Sequence, residues 1–496
     1  MRGLSNERLL VTGTVQSAAG VEAWLRASGL GDRIVGQLIV HEGVTAELIA
    51  NAAQRAAASC AVVSLRTDDA DLRETVRTGL AKANVRGRWL PTADDLVSGK
   101  GARSALGPAL DAQGLIGRAP RALDSSARTR AQRALKGKRV LITGAGGSIG
   151  SELAKAVASY APSELLLMER AENALFDIDR QLSERYPGVP RRAMLHDVVE
   201  EERTRGWLDR LRPHVVFHAA AHKHVTVMED HPSHAVNNNV FGTKSIADAA
   251  LACGAERFVM ISTDKAVNPR NVMGATKRFA EQYVAARNGA GSTRFSIVRF
   301  GNVLGSACSV IPIWSAQAQE GGPITVTHPE MTRYFMTIPE AAALVIQAGS
   351  LTEAEAGGAD VFVLDMGEPV RIIEMAERFI RQLGLEARLA GLHPGQAATG
   401  PRTDGALEIV FTGSRPGEKL HEELAHASEE LRPTAAEGVR AWASQGAGGI
   451  DVQKMISELA KVRWAVEQDE VVRVIRAWSP GVGGEKEPGR GKVVAA

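Results

Sequence analysis

A short stretch beyond the middle of the chain brings together side chains that can move protons and hold a nucleotide. Thr263, Asp264 and Lys265 follow one another at the predicted end of a buried strand, and they place an acid beside a possible base. Lys277 comes four residues after Met273, so both side chains lie on one face of the predicted next helix. We therefore expect these five residues to form a catalytic site.

Met273 stands where the tyrosine of a Tyr-x-x-x-Lys pair would be expected. In such a pair, the tyrosine takes the hydroxyl proton during hydride transfer, while the lysine lowers the tyrosine pKa and holds the nicotinamide ribose. Lys277 can still hold the ribose, but a methionine cannot accept a proton. We expect Thr263, a water or a neighbouring group to take that proton.

Three glycines, Gly144, Gly147 and Gly150, form a turn between a predicted strand over 139–143 and a predicted helix over 151–160. Their spacing permits a tight turn and lets backbone amides approach a pyrophosphate, with the helix N-terminus facing the anion. The turn therefore predicts a nicotinamide dinucleotide, NAD or NADP, which we expect to be tightly bound and recycled.

Glu169 ends the next predicted strand, 164–168, where an acid would accept hydrogen bonds from the adenosine ribose. A carboxylate there favours NAD because it repels a 2′-phosphate, but Arg170 could turn towards that phosphate, so the choice stays open. Further cofactor contacts are expected in the turn and after the following strands, from Ser148, Ile149, Asp197, Val198, Ala219, Ala220 and Ala221.

The elements that position these residues alternate between short apolar runs and helical patterns. Runs such as 215–218 and 257–262 are too short for helices, which is typical of parallel strands buried on both faces. The sequence predicts an α/β fold with a doubly wound parallel Rossmann sheet. Ligands should collect at the carboxyl ends of its strands.

We predict four regions along the chain. Residues 1–124 form a degenerate Rossmann-like domain, whose first turn has lost the glycine spacing, so we expect no nucleotide there. Residues 125–304 form the catalytic Rossmann domain, and 305–479 a smaller mixed substrate-binding portion in which the sheet continues intermittently. Residues 480–496 should be a disordered tail. The arginine-rich connector over 117–133 is expected to be a solvated linker or an exposed helix.

Composition excludes several classes of function. The net charge of the 496 residues is only +2, so no nucleic-acid partner is expected. Cys60, Cys253 and Cys308 have no paired spacing, which favours a reducing compartment and no metal site. No apolar run reaches the roughly 18 residues of a membrane helix. We expect a cytoplasmic homo-oligomer without an integral membrane segment.

Six motifs in order resemble the bacterial polysaccharide-biosynthesis nucleotide-sugar 4,6-dehydratases, which are extended short-chain dehydrogenase/reductases. The motifs are 143–152, 217–225, 262–269, 271–278, 299–305 and 415–420. Long members of this family carry a degenerate Rossmann-like domain ahead of the catalytic one and can have methionine at the tyrosine position. Two departures are the lack of N-terminal membrane helices and the Ala-Cys pair at 307–308, where the family usually has a glycine near the sugar.

The resemblance implies an NAD(P)-dependent UDP-N-acetylhexosamine 4,6-dehydratase that makes a 4-keto-6-deoxy sugar for surface glycans. It implies that Asp264 is the acid that releases O6 and that Lys265 is the base at C5. Thr263 and Lys277 fall on the remaining triad positions. Contacts to the UDP-sugar are expected from Lys223, Asn302, Ser309, Arg333, Arg415 and Glu418.

Two alternatives stay open. A UDP-sugar 4-epimerase would share the fold but needs no acid at O6. A non-catalytic scaffold that binds sugar nucleotide would be consistent with the missing tyrosine at Met273.

Overall fold

The computed structural model describes residues 7–90, 111–390, 406–442 and 450–483, apart from positions 28, 42, 66–68, 120, 122, 125 and 427. These residues form an N-terminal α/β unit and a larger body with its own sheet. No helix in these ranges has the length and apolar character needed to cross a membrane.

The N-terminal unit is a parallel sheet between two layers of helix. Its strands are β1 (Leu9–Gly13), β2 (Ile34–Ile39), β3 (Cys60–Ser64) and β4 (Arg86–Leu90), and its helices are α1 (Val15–Ala27), α2 (Ala46–Arg55) and α3 (Ala70–Lys82). The strand order is β2-β1-β3-β4. Every residue of β1 and β3 is buried because both strands are continuous apolar runs. The unit has the predicted Rossmann-like architecture.

Within the described ranges, nine strands form the main sheet of the body. They are β5 (Arg139–Thr143), β6 (Glu164–Glu169), β7 (Arg191–Leu195), β8 (Val215–His218), β9 (Arg257–Ile261), β10 (Arg294–Arg299), β15 (Val361–Leu364), β19 (Arg432–Pro433) and β20 (Val439–Trp442). Their order is β19-β20-β15-β10-β9-β8-β5-β6-β7. The strands from β15 to β7 are parallel, and β20 is antiparallel to β15.

Helices cover both faces of this sheet. They are α5 (Ala127–Leu135), α6 (Ser148–Ala158), α7 (Glu172–Arg185), α8 (Glu201–Leu211), α9 (Val225–Asp230), α10 (Pro232–Ala235), α11 (Gly242–Ala252), α12 (Val272–Ala285), α14 (Ile338–Ser350), α16 (Val452–Val462) and α17 (Gln468–Trp478). In β6, Leu165 and Leu167 join one hydrophobic core, while Leu166 and Met168 join the other. The doubly wound fold is confirmed.

A smaller mixed portion continues from the carboxyl end of the sheet. Its elements are α4 (Ala112–Ile116), β11 (Asn302–Leu304), α13 (Val310–Glu320), β12 (Ile324–Val326), β13 (Thr332–Arg333), β14 (Phe335–Thr337), β16 (Val370–Arg371), α15 (Ile372–Gln382), β17 (Glu386–Leu389) and β18 (Ala406–Phe411). Its core contains the fully buried Trp314 and Phe379. Leu115 and Ile116 of α4 also join this core, although the predicted boundary at 124 assigns them to the N-terminal domain.

Two predictions about connecting segments are wrong. The arginine-rich connector is only partly solvated, because Arg118 donates to Glu340 at 2.8 Å and Arg130, only 5% exposed, donates to Gln347 at 3.2 Å. These two arginines are paired inside the body, whereas Arg128 and Arg133 of the same segment are exposed. The predicted disordered tail begins too early, because Val482 is only 2% exposed and packs on a core of the body. Residues 484–496 lie outside the described ranges.

Candidate active site

The glycine turn joins β5 to α6, as predicted. Gly144 has a φ of +64°, and a Cβ there would lie 2.8 Å from the Ala220 backbone nitrogen. A Cβ at Gly150 would lie 2.0 Å from the Gly144 carbonyl oxygen. Gly147 is the N-cap of α6 and supplies no side chain to its first amides. The turn is therefore a glycine-dependent cradle whose free amides suit an anion such as pyrophosphate.

The loop over 305–309 lies against the start of α6. The Ala307 amide donates to Ser148 Oγ at 3.1 Å, and Lys223 Nζ donates to the Ala307 carbonyl at 2.9 Å. Ser309 precedes α13, and its buried Oγ has no hydrogen-bond partner among the described residues. The predicted cofactor residue Ser148 therefore lies beside this loop. The loop also contacts Lys223 and contains Ser309, two predicted substrate residues.

Glu169 and Arg170 turn to different partners at the end of β6. Glu169 accepts hydrogen bonds from the Gly146 and Arg170 amides, at 3.1 and 3.0 Å. The Arg170 guanidinium lies 3.7 Å from Asp197 and 3.3 Å from His222 Nε2. Burial and the Arg170 charge lower the pKa of His222 to about 4, so His222 is neutral and can accept from Arg170. No group of three His, Cys, Asp or Glu side chains in the described ranges could hold a metal ion.

A buried hydrogen-bond chain, which sequence reasoning missed, fixes the end of β8. His218 lies 2.8 Å from Thr143 Oγ1 and 2.9 Å from Thr243 Oγ1, and the Thr243 hydroxyl donates to a backbone carbonyl. Burial and the nearby Lys277 lower the pKa of His218 to about 3, so the ring is neutral. The other predicted cofactor residues lie in the glycine turn or just after β7 and β8: Ile149, Val198, Ala219, Ala220 and Ala221.

The predicted catalytic loop, which follows β9, holds a buried acid beside a partly buried amine. Thr263 Oγ1 donates to Asp264 Oδ1 at 2.8 Å, and Lys265 Nζ donates to the same oxygen at 3.1 Å. Lys265 Nζ also lies 3.3 Å from Asn302 Oδ1 and 3.7 Å from Glu422 Oε1. Burial alone would lower the pKa of Lys265, but the Asp264 and Glu422 carboxylates outweigh it, and the pKa is raised. Lys265 is therefore an ammonium group at rest.

Helix α12 packs closely on this loop and carries Met273 and Lys277. A Cβ at Gly274 would lie 2.2 Å from the Lys265 carbonyl oxygen, so only glycine allows this approach. Met273 is 3% exposed and belongs to a core, while Lys277 Nζ donates to the Ile261 carbonyl at 2.7 Å. Burial lowers the pKa of Lys277 to about 8. The two side chains were predicted to share one face of the helix, and their surroundings differ: Met273 lies in the core and Lys277 lies beside β9.

A buried arginine ties three segments together behind the catalytic loop. Arg299, at the end of β10, donates to Glu281 at 2.7 Å and to Glu429 at 2.7 Å. Ser262 Oγ also donates to Glu281, at 2.7 Å. Burial would raise the pKa of Glu281, but Arg299 outweighs it and the pKa falls to about 2. The sequence singled out the motif around Arg299 without showing this role.

Glu422 is the site residue that sequence reasoning missed most clearly. It is 7% exposed, comes from a segment far along the chain, and faces Lys265. Arg333, a predicted substrate contact, lies 4.0 Å from Glu422 and donates to the Leu420 carbonyl at 3.1 Å. A glutamate in a charged segment is usually solvated, so nothing in the sequence separates Glu422 from its neighbours.

The predicted sugar-nucleotide residues fall into two groups. Asn302 and Arg333 lie around Lys265, whereas the Arg415 turn lines a cleft of about 1420 Å³ together with Arg270. Within that turn, Glu418 accepts from the Arg415 amide at 3.2 Å. In the part of the chain that the structure describes, no hydrogen bond joins this turn's two predicted residues to Lys265. Lys419, in the same turn, links it to the predicted catalytic loop by donating to the Val267 carbonyl at 2.7 Å.

Residues 140–443 match the family described as polysaccharide biosynthesis protein. The chain belongs to this family. A curated relative is the probable polysaccharide biosynthesis protein EpsC of Bacillus subtilis (strain 168), 45% identical over 372 residues. The match covers 74% of this chain and 57% of EpsC, so the chain spans less than two thirds of that relative's length.

Two further relatives have names that state a reaction. UDP-N-acetylglucosamine 4,6-dehydratase (inverting) of Campylobacter jejuni (strain 81-176) is 34% identical over 215 residues, covering 42% of this chain and 63% of that protein. UDP-glucose 4-epimerase of Rickettsia rickettsii is 30% identical over 299 residues, covering 59% of this chain and 79% of that protein. Among solved structures, Pen from Bacillus thuringiensis matches with a TM-score of 0.54 and 28% identity, covering 66% of this chain and 98% of Pen.

Proposed function

We propose that this chain is an NAD(P)-dependent 4,6-dehydratase that converts a UDP-N-acetylhexosamine to a 4-keto-6-deoxy sugar for surface polysaccharide. The observation that carries the proposal is the pair of buried Asp264 and partly buried Lys265, with Nζ and Oδ1 3.1 Å apart. Loss of water needs an acid at O6 and a base at C5, whereas 4-epimerisation needs neither. The similarity to a UDP-N-acetylglucosamine 4,6-dehydratase supports the same reaction class.

The glycine turn fits a nicotinamide dinucleotide, because its tight backbone leaves no room for a Cβ at Gly144 or Gly150 and no side chain caps the first amides of α6. When bound, the nicotinamide would accept hydride from C4 of the sugar and return it to C6. Lys277 would hold the nicotinamide ribose and Glu169 the adenosine ribose. We favour NAD over NADP because Arg170 is already engaged by an aspartate, 3.7 Å away.

Thr263 supplies the proton path that Met273 cannot. Its hydroxyl donates to Asp264 Oδ1 at 2.8 Å, so it can take the C4 hydroxyl proton while passing its own proton to the carboxylate. Asp264 then carries the proton that O6 needs to leave as water. Lys265 removes the C5 proton and later returns a proton to C5, which gives the product its C5–H bond.

The test is incubation of the purified protein with a panel of UDP-sugars, with mass spectrometry and NMR of the products. The proposal expects loss of one water and a 4-keto-6-deoxy product from a UDP-N-acetylhexosamine. It also expects no product from Lys265→Ala and normal turnover by Lys244→Ala, a lysine that pairs with Glu201 on the protein surface.

Two results would contradict the dehydratase. A 4-epimer of unchanged mass would favour an epimerase. Ligand-induced stabilisation without any product would favour a non-catalytic scaffold.

A further inference from the structure

Glu422 is a buried carboxylate whose hydrogen bonding is incomplete. Its side chain is 3% exposed, and Oε1 lies 3.7 Å from Lys265 Nζ and 4.0 Å from Arg333 Nη2. Oε2 is buried and has no hydrogen-bond partner among the described residues. Burying a carboxylate in this way is costly unless the group is paired, so its position calls for a functional reason.

The contrast with Arg299 shows that Glu422 is not an ordinary structural ion pair. Arg299 holds Glu281 and Glu429 through four hydrogen bonds of 2.7 to 3.0 Å. Among the described residues, no side chain lies that close to the Glu422 carboxylate, although Glu422 is buried to a similar degree. A pair built for stability would close these gaps. Glu422 is held near Lys265 without being neutralised by a direct hydrogen bond.

The backbone around Glu422 is fixed from both sides. Lys419 donates to the Val267 carbonyl at 2.7 Å, and the Leu420 carbonyl accepts from the Thr332 amide at 3.1 Å. On the other side, Glu423 accepts from Asn268 at 2.8 Å. These contacts bind the segment to β13 and to the loop that follows Lys265. The placement of the carboxylate is therefore part of the folded site and not a chance rotamer.

The charged groups around Lys265 come from three segments. Asp264 lies on its own loop, Arg333 on β13, and Glu422 on the segment that follows the Arg415 turn. Gly301 separates Tyr334 from Asp264, since a Cβ on Gly301 would lie 3.0 Å from Tyr334 Cβ and 3.1 Å from Asp264 Oδ2. The two carboxylates outweigh both burial and the Arg333 charge, and they hold Lys265 as an ammonium ion. An ammonium ion cannot remove a proton from carbon, so the proposed base needs a proton acceptor.

We propose that Glu422 is the positioning residue that holds the Lys265 amine and takes its proton when the sugar is bound. This rests on the proposed dehydratase. A proton passes from Lys265 Nζ to Glu422, and the neutral amine then breaks the C5–H bond, whose electron pair moves towards the C4 ketone. Asp264 protonates O6 and water leaves. Lys265 returns a proton to C5 as the hydride taken from C4 returns to C6. Lys265 then recovers its own proton from Glu422, so the site ends as it began.

The experiment compares wild type with Glu422→Gln, Glu422→Asp and a control, Glu430→Gln, whose residue is exposed and pairs with Arg432. The readouts are kcat and KM across pH, the absorbance of reduced nicotinamide after substrate is added, and the thermal unfolding midpoint. With Glu422 present, the proton stays inside the site, and we expect kcat to be nearly flat around neutral pH.

In Glu422→Gln, solvent must deprotonate Lys265. We expect kcat near neutral pH to fall on the order of a hundredfold and to rise about tenfold per pH unit, with KM little changed. Reduced nicotinamide should accumulate, because C4 oxidation does not need Glu422. Glu422→Asp should recover part of the rate, and Glu430→Gln should match wild type.

The proposal would be overturned if the Glu422→Gln profile ran parallel to that of wild type, since a structural role lowers kcat equally at every pH. If Glu422→Gln does not fold, the folded Glu422→Asp decides: a kcat lowered equally at every pH would overturn the proposal, since a displaced proton acceptor should lower kcat most at low pH. If wild type formed only a 4-epimer, the proposed dehydratase would fail, and the Glu422 proposal with it. A working wild type with a parallel Glu422→Gln profile would sink only the latter.

Discussion

Two lysines of the candidate site, the buried Lys277 and the partly buried Lys265, should affect the stability of the fold in opposite directions. Burial lowers the pKa of Lys277 to about 8, whereas the carboxylates around Lys265 outweigh its burial and raise its pKa. A lysine with a lowered pKa destabilises the folded state at neutral pH, because the unfolded chain binds its proton more tightly. A lysine with a raised pKa stabilises the folded state there. Replacing each by methionine separates the two effects.

The size of the Lys277 effect follows from its pKa. The fall from 10.5 to about 8 corresponds to roughly 3 kcal/mol of destabilisation near neutral pH. Lys277→Met removes this cost but also the hydrogen bond to the Ile261 carbonyl, which contributes about 1 kcal/mol. We therefore expect Lys277→Met to raise the free energy of unfolding by roughly 2 kcal/mol while abolishing activity. Lys265→Met should lower it by about 3–5 kcal/mol, because it leaves buried carboxylates unpaired.

The assay is urea unfolding of nucleotide-free protein, followed by circular dichroism at about pH 7 and at about pH 10. Between pH about 8 and 10.5, the folded Lys277 is neutral while the unfolded one still binds a proton, so the wild type should gain stability as pH rises. Lys277→Met should lack this gain, and its advantage should shrink at the higher pH. A Lys277→Met protein that is less stable than wild type at pH 7, or that keeps the same pH dependence, would refute the reasoning.

Two further substitutions test the cofactor cradle and the buried arginine. Gly150→Ala should displace the Gly144 carbonyl by about 1 Å and weaken NAD binding, measured by calorimetry, on the order of a hundredfold. The control, Gly206→Ala, changes an open helical position and should raise the free energy of unfolding by up to about 1 kcal/mol. Unchanged NAD affinity in Gly150→Ala would contradict the cradle. Arg299→Met should cost about 3–5 kcal/mol in urea unfolding, against less than about 0.5 for the exposed Arg432→Met, and equal losses would argue against a buried triad.

Local pattern was enough to predict the sheet and the position of the Asp264–Lys265 pair at a strand end. The strands over 139–143 and 215–218 have the predicted bounds, because each is an apolar run closed by turn residues. Asp264 and Lys265 meet because they are adjacent in sequence, at a strand end where the fold collects ligands. Such features depend on residues that are neighbours along the chain, so they can be predicted from one sequence.

Contacts between distant segments could not be predicted in this way. Glu422 reaches Lys265 only after the smaller portion folds back over the loop. The spacing of residues along the chain does not show which distant segments will meet. The connector was misjudged for a related reason, because its arginines suggest hydration, while Arg118 and Arg130 find buried partners on α14. The pairing of a charged side chain decides whether it is buried, and its partner is not visible from composition.

The central claim is that hydride leaves C4 and returns to C6 of the same sugar with loss of water. The direct test is UDP-N-acetylglucosamine carrying deuterium at C4, incubated with purified protein and examined by NMR and mass spectrometry. We predict a 4-keto-6-deoxy product with the deuterium on C6. A 4-epimer that keeps the deuterium at C4, or substrate that is bound but unchanged, would contradict the account.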